Sequence, residues 1–236
     1  MDFFKNLLFI LSSENPENLM TQALIKANEE ELKKASKLGW VIPLGLPYPV
    51  YKEFISDNSN TKDDFDEYFT KFYSGDFEKN VKAPLNKYIH HIDISLQKLI
   101  SEALICYDQE LFQICIPALF SVLEGSLVEL SNKGDRESIR YRNGLNSSVN
   151  NDNLGLPVLN IISISWFLDY TFSKSNFNQS KFEELNRHWS QHGRYLGLMG
   201  KSSVLQLFGV VALVLFSYQI LHDRSIDSSA LNNATY

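Results

Sequence analysis

Apolar residues recur along this chain at three- and four-residue steps. No stretch alternates apolar and polar residues strictly enough for a convincing strand, so the pattern predicts an all-α fold. The clearest case spans residues 85–107, where Ile92, Leu96, Leu99, Ile100, Ala103 and Tyr107 follow helical spacing. After a short DQE link comes the apolar run LFQICIPALFSVLEGSLVEL. Pro117 inside that run predicts a kink or a fresh helix start. Two long helices joined by a few residues make an antiparallel hairpin.

The rest divides on the same logic. Residues 17–38 carry many charges and no Gly or Pro, which predicts one solvated or weakly packed helix. Three prolines and Gly45 then interrupt WVIPLGLPYPV, an apolar connector expected to pack down. In residues 62–74, Phe65, Tyr68, Phe69 and Phe72 share a helical face, Asp63 and Asp64 favour the first turn, and Gly75 supplies a stop. Residues 132–156 are charged, then Asn/Ser-rich, and read as a polar excursion. Helix is expected again from Pro157, across KFEELNRHWSQH with Gly193 as its C-cap, and from Ser202 onward before a polar tail. This organisation gives an N-terminal helical region over 1–84, a helical bundle over 85–222 and a tail over 223–236.

Composition narrows the class. The 236 residues are 44% hydrophobic and 13% aromatic, enough for one sizeable core, or for one core plus a smaller helical appendage. A net charge of −6 excludes nucleic-acid binding through the whole surface and argues against anionic membranes, so any RNA contact needs a local basic patch. Cys106 and Cys115 both sit among apolar residues and read as reduced thiols in a cytoplasmic protein. The opening MDFFKNLLFILSS has too short an apolar core for a signal peptide and no small-residue cleavage site, so it reads as an amphipathic helix. Val204 to Leu221 is the one membrane suspect. Its uninterrupted apolar run, Leu207 to Phe216, is shorter than the ~20 residues of a bilayer span, so a buried core helix is expected and no membrane contact.

Candidate chemistry gathers in Asn186-Arg187-His188-Trp189-Ser190-Gln191-His192-Gly193. From Leu185 to Lys201 there is no acid, but there are Arg187, Arg194, Lys201 and two histidines, a local patch suited to phosphate. Trp189 and Tyr195 offer stacking faces for unpaired bases. Cleaving RNA without a metal needs a base for the 2′-OH proton and a cation for the charge growing on phosphorus. Imidazole and guanidinium meet those needs, and His192 and Arg187 supply them. Five residues apart, they point about 140° from each other on an ideal helix. They converge only if His192 sits at the unwinding end before Gly193, or across a symmetric dimer.

Arg187, four intervening residues and His192, with a polar residue directly after the Arg, resembles the HEPN superfamily signature. The apolar hairpin carrying IPALFSVLEG and the LNRH…HG segment leading into a long apolar helix are similar too. The resemblance covers roughly residues 85–222 and is to bacterial proteins of abortive-infection and toxin systems. It implies an antiparallel bundle with an N-terminal helical extension, a homodimer often with both motifs lining one cleft, and an endoribonuclease leaving 2′,3′-cyclic phosphate ends. It also implies an antitoxin or defence-system partner, and no cofactor. Some members are not nucleases, which leaves open a non-catalytic module for RNA or nucleotide binding and dimerisation.

Other positions are weighed on their own chemistry. His188 and His192 share a helix face at the spacing that holds zinc in HExxH, but the Glu and a third ligand are missing, so His188 reads as a phosphate contact. Asn186 is either a pocket contact or an exposed helical amide. Glu124 projects from an apolar face, with Phe120, Leu127 and Val128 around it. A carboxylate so placed needs a partner, and Arg187 is the obvious one. His90 and His91 point about 100° apart and read as structural. Arg136, Arg140 and Arg142 read as solvated loop charges.

Overall fold

A computed structural model describes residues 16–131, 157–173, 185–193 and 199–233. Among them are ten α-helices and no strand. In order these are α1 (Pro16–Lys26), α2 (Glu29–Lys37), α3 (Tyr48–Ser56), α4 (Lys62–Gly75), α5 (Ala83–Tyr88), α6 (Ile94–Asp108), α7 (Phe112–Ser131), α8 (Pro157–Thr171), α9 (Arg187–Gln191) and α10 (Lys201–Asn233). A π-helical turn, Glu78–Lys82, precedes α5, and a 3₁₀ turn, Ile89–His91, follows it.

Local chemistry accounts for several boundaries. Thr61 accepts from Asp64 N while Asp64 accepts from Thr61 N at 2.7 Å, a capping box that starts α4. Asp93 accepts from Ser95 N at 2.8 Å and starts α6. That cap breaks the single helix expected over 85–107, because Ile92 turns extended just before it. The helix expected over 17–38 is likewise two. It breaks at Asn28, which is buried and donates to Leu24 O at 2.6 Å while accepting from Tyr48 at 2.9 Å. Nor is it weakly packed, since Leu32, Ala35 and Ser36 are fully buried. No fresh helix begins at Pro117, because α7 runs through it.

The centre of the bundle is α10, which rests on α7, α8, α4 and α5, while α6 and α7 form the expected hairpin. From Val204 to Leu215 every apolar side chain is buried, at most 4% exposed. The connector packs down as its composition predicts. Trp40 stacks near Phe69 and Tyr73, and its indole Nε1 donates to Asp66 at 2.8 Å. Asp66 also accepts from Lys62 at 2.5 Å and Gln206 at 3.3 Å, so this half-buried carboxylate is paired three ways. Ser36 donates to Ser163 O, and Ser163 accepts from Ile42 N, tying α2 and the connector to α8. Trp40, Phe65 and Leu32 belong to the same continuous core as Leu119, Phe167 and Phe208. Two helices, α7 and α10, contain windows long and apolar enough to cross a membrane. That of α10, Lys201–Ile220, is 72% buried within the protein, as a core helix is.

Candidate functional site

The motif segment forms the short helix α9, not the longer helix expected across residues 181–192, and Asn186 fixes where it starts. Asn186 Oδ1 accepts from Trp189 N at 3.2 Å, a side-chain cap on the first turn. Asn186 Nδ2 donates to Ser173 O at 3.1 Å, fastening the start of α9 to the end of α8. Asn186 is therefore neither an exposed amide nor a pocket contact; it is fully buried and its polar atoms hold the backbone. Trp189 is 5% exposed, so its ring faces the interior and presents no stacking surface to a base.

On the α7 side, two contacts clamp α9. Arg187 Nη2 lies 2.9 Å from both carboxylate oxygens of Glu124. One turn later, Gln191 Nε2 donates to Pro117 O at 3.3 Å. Arg187 faces the later position of α7 and Gln191 the earlier, so α9 crosses α7 antiparallel. The expected Arg187–Glu124 contact is present; the Gln191 clamp was not anticipated, although its four-residue spacing from Arg187 is a signal for a shared face. The Arg187 side chain is 33% exposed and that of Glu124 21%, so the pair sits at the rim of the core. Glu124 engages one end of the guanidinium fork, and Nη1 makes no hydrogen bond to the described residues. The fork is thus oriented with donor capacity left over.

His188 and His192 lie on the neighbouring face. Their ring centroids are 4.7 Å apart and their planes 76° from parallel. His192 is the C-cap residue, its N–H on His188 O at 3.3 Å, and Gly193 follows with φ +64°. The unwinding end anticipated at His192 is present, because glycine takes this left-handed conformation without steric cost. His192 is exposed and His188 half-buried. One turn and its cap thus carry an oriented guanidinium on one face and two adjacent imidazoles on the next. Arg194 and Tyr195 lie outside the described residues, as do Arg136, Arg140 and Arg142.

A second concavity adjoins the segment. A small open groove is lined by Leu185, the residue before the cap, with Lys37, Lys62, Ser202 and Ser203. Lys62 is matched by Asp66 at 2.5 Å, whereas Lys37 forms no ion pair with the described residues. Among the described residues, no group of three or more His, Cys, Asp or Glu side chains could hold a metal.

These features define an all-α protein whose short Arg/His helix is clamped to the hairpin at its core. Comparison with protein-family models, curated proteins and solved structures finds no match to this chain.

Proposed function

We propose that this protein is a metal-independent endoribonuclease of HEPN type, acting as a cytoplasmic homodimer in a toxin or phage-defence system. The observation that carries the reading is the clamped α9 turn. Its guanidinium is aimed by Glu124 at 2.9 Å, and an exposed imidazole stands at the end of the same helix. In the proposed reaction His192 takes the proton of the ribose 2′-OH, and the 2′-oxygen attacks the adjacent phosphorus. The bond to the 5′-oxygen breaks, that oxygen takes up a proton from the His192 imidazolium, and a 2′,3′-cyclic phosphate remains. Arg187 stabilises the pentacoordinate phosphate with the donors Glu124 leaves over. His188 hydrogen-bonds phosphate beside it.

Asn186 and Trp189 are interior, and this gives a second reading some weight. With Asn186 and Trp189 buried, the segment also suits a non-catalytic HEPN module that binds RNA or nucleotide and dimerises. Incubating purified protein with total RNA and with tRNA in EDTA separates the two. The nuclease reading expects cleavage that falls about 10²- to 10⁴-fold in His192→Ala, the range a positioned acid–base contributes. Intact RNA after incubation with a pure dimer leaves only the binding module.

A further inference from the structure

The groove beside Leu185 takes no part in the α9 chemistry, since Arg187, His188 and His192 are not among the residues that line it. Its own lining is cationic and hydroxylic. Lys37 ends α2, Lys62 begins α4, and Ser202 and Ser203 begin α10, so three elements far apart in sequence bring these groups together. No Asp or Glu lines the groove, although acids outnumber Lys and Arg by 28 to 22 in the chain. A lysine in the last turn of a helix also complements the helix dipole, so Lys37 alone would mean little. Lys62 adds to it: one of its three ammonium donors meets Asp66 at 2.5 Å, and two are left. The first N–H groups of a helix have no partner within it, and those of Ser202 and Ser203 meet no acceptor among the described residues.

Gln206, one turn along α10, points to a ligand independently of these cations. It is 5% exposed, and its Nε2 donates to Leu38 O at 3.2 Å and to Asp66 at 3.3 Å. With the nitrogen held on that side, Oε1 is turned to the groove that Gln206 lines, and no described residue donates to it. Nor is Oε1 sealed in the core, so a ligand can reach it. This oxygen calls for a donor. A phosphate monoester, largely dianionic at neutral pH, does not supply one, but a hydroxyl beside the phosphate does. Tyr170, half-buried in the same lining, adds an aromatic ring against which a base can lie.

We propose that this groove binds a ribonucleotide phosphate. Lys37, Lys62, Ser202 and Ser203 hold the phosphate, Gln206 Oε1 accepts from a ribose hydroxyl, and Tyr170 carries the base. A free mononucleotide and the 5′-phosphorylated end of an RNA strand present the same group. Binding here involves no cleavage, so the proposal does not rest on the ribonuclease reading.

Calorimetric titration of the full chain with AMP, adenosine and inorganic phosphate tests the site. One AMP per chain is expected. Adenosine should bind at least about tenfold more weakly, because it lacks the charge-assisted hydrogen bonds of the phosphate. Inorganic phosphate should also bind more weakly than AMP. Lys37→Gln should weaken AMP by about tenfold or more and, at an exposed position, leave the protein folded. Ser203→Asp places a carboxylate where it favours the helix start but repels phosphate, so AMP binding should be lost while the urea midpoint holds or rises. Lys98→Gln, on the exposed side of α6, should change nothing. A 5′-phosphorylated oligoribonucleotide, added to His192→Ala protein so that the strand stays whole, displaces AMP if RNA supplies the phosphate; failure to displace it assigns the groove to the free nucleotide. Equal binding of AMP and adenosine, AMP binding unchanged in both groove variants, or no AMP binding at millimolar concentration overturns the proposal. Inorganic phosphate binding as tightly as AMP overturns the ribose and base contacts. A protein that binds AMP in this way but never cleaves RNA keeps the site and loses the nuclease reading.

Discussion

Arg187 and Glu124 show how one pair can serve packing and chemistry together. Glu124 projects from an otherwise apolar helix face, and the Arg187 guanidinium 2.9 Å away is what makes its position tolerable. Glu124→Gln keeps the shape and removes the charge. Expected is a loss of about 1–3 kcal/mol in urea unfolding, from the partner left poorly satisfied at the rim of the core. RNA cleavage should fall as well, because the fork loses its aim. Arg187→Lys retains the charge but cannot present a planar fork, so it should resemble Arg187→Ala in cleavage while remaining folded. Gly209 is a residue-scale constraint of another kind. A Cβ there would meet Tyr73 Oη at 2.6 Å, and Tyr73 is itself 2% exposed within the core. Gly209→Ala should destabilise by about 1–3 kcal/mol, the usual range for overpacking, read as a lower urea midpoint at unchanged slope.

Among the elements, α9 depends most on contacts outside itself. A five-residue helix cannot persist on propensity, so its cap and clamps must hold it. Asn186→Ala removes the Trp189 cap and the bond to Ser173 in one step. About 1 kcal/mol is expected from the cap alone, with faster local hydrogen exchange over residues 187–193 than over α10. Uniform exchange across both elements would show that α9 is not held in this way. Its neighbour α7 has the opposite character. It continues through Pro117 although proline forfeits a backbone donor, and tertiary burial on both α6 and α10 outweighs that loss. The Pro117 carbonyl accepts from Ser121 Oγ at 3.0 Å and from Gln191 at 3.3 Å, so it contributes to holding the site.

The whole molecule responds to alkali through its buried acids. Burial pushes the Cys115 thiol up from 9.0 to about 11, and it pushes Tyr48 and Tyr107 from 10.0 to about 12. In each case the folded state holds the proton more tightly than the unfolded chain does. Their contribution to stability is therefore complete below pH 9 and declines as the pH rises from about 9 toward 12. Urea midpoints should hold steady from neutrality to pH 9 and fall steeply above it, and Cys115→Ser should blunt the first part of that fall. A midpoint that rises in this window would contradict the sign. At the same scale, sedimentation at micromolar concentration is expected to report a homodimer without detergent.

How much was legible from residues alone follows from the range of the forces involved. Periodicity and capping act within a few residues. The all-α class, the α6–α7 hairpin, α4 with its acidic first turn, the start at Pro157 and the stop at Gly193 could therefore be read from spacing and side-chain type. Glu124 was legible for a related reason: a carboxylate on an apolar face announces a missing cation, and Arg187 was close at hand in chemistry if not in sequence. The split at Asn28 and the break before Asp93 were not legible as helix ends, because competing helical signals run through both positions. At Asn28 it is packing against Tyr48 that favours the interruption, whereas before α6 it is the Asp93 cap on Ser95 that prevails over the helical periodicity. Asn186 and Trp189 pose the same problem, since a polar cap and an aromatic beside a basic motif look alike whether they face water or the core. Sequence by itself determined which residues could do chemistry and where most helices run. Tertiary structure alone decided which of those side chains point outward, because burial depends on neighbours brought together from 60 or more positions away, as Glu124 and Arg187 are.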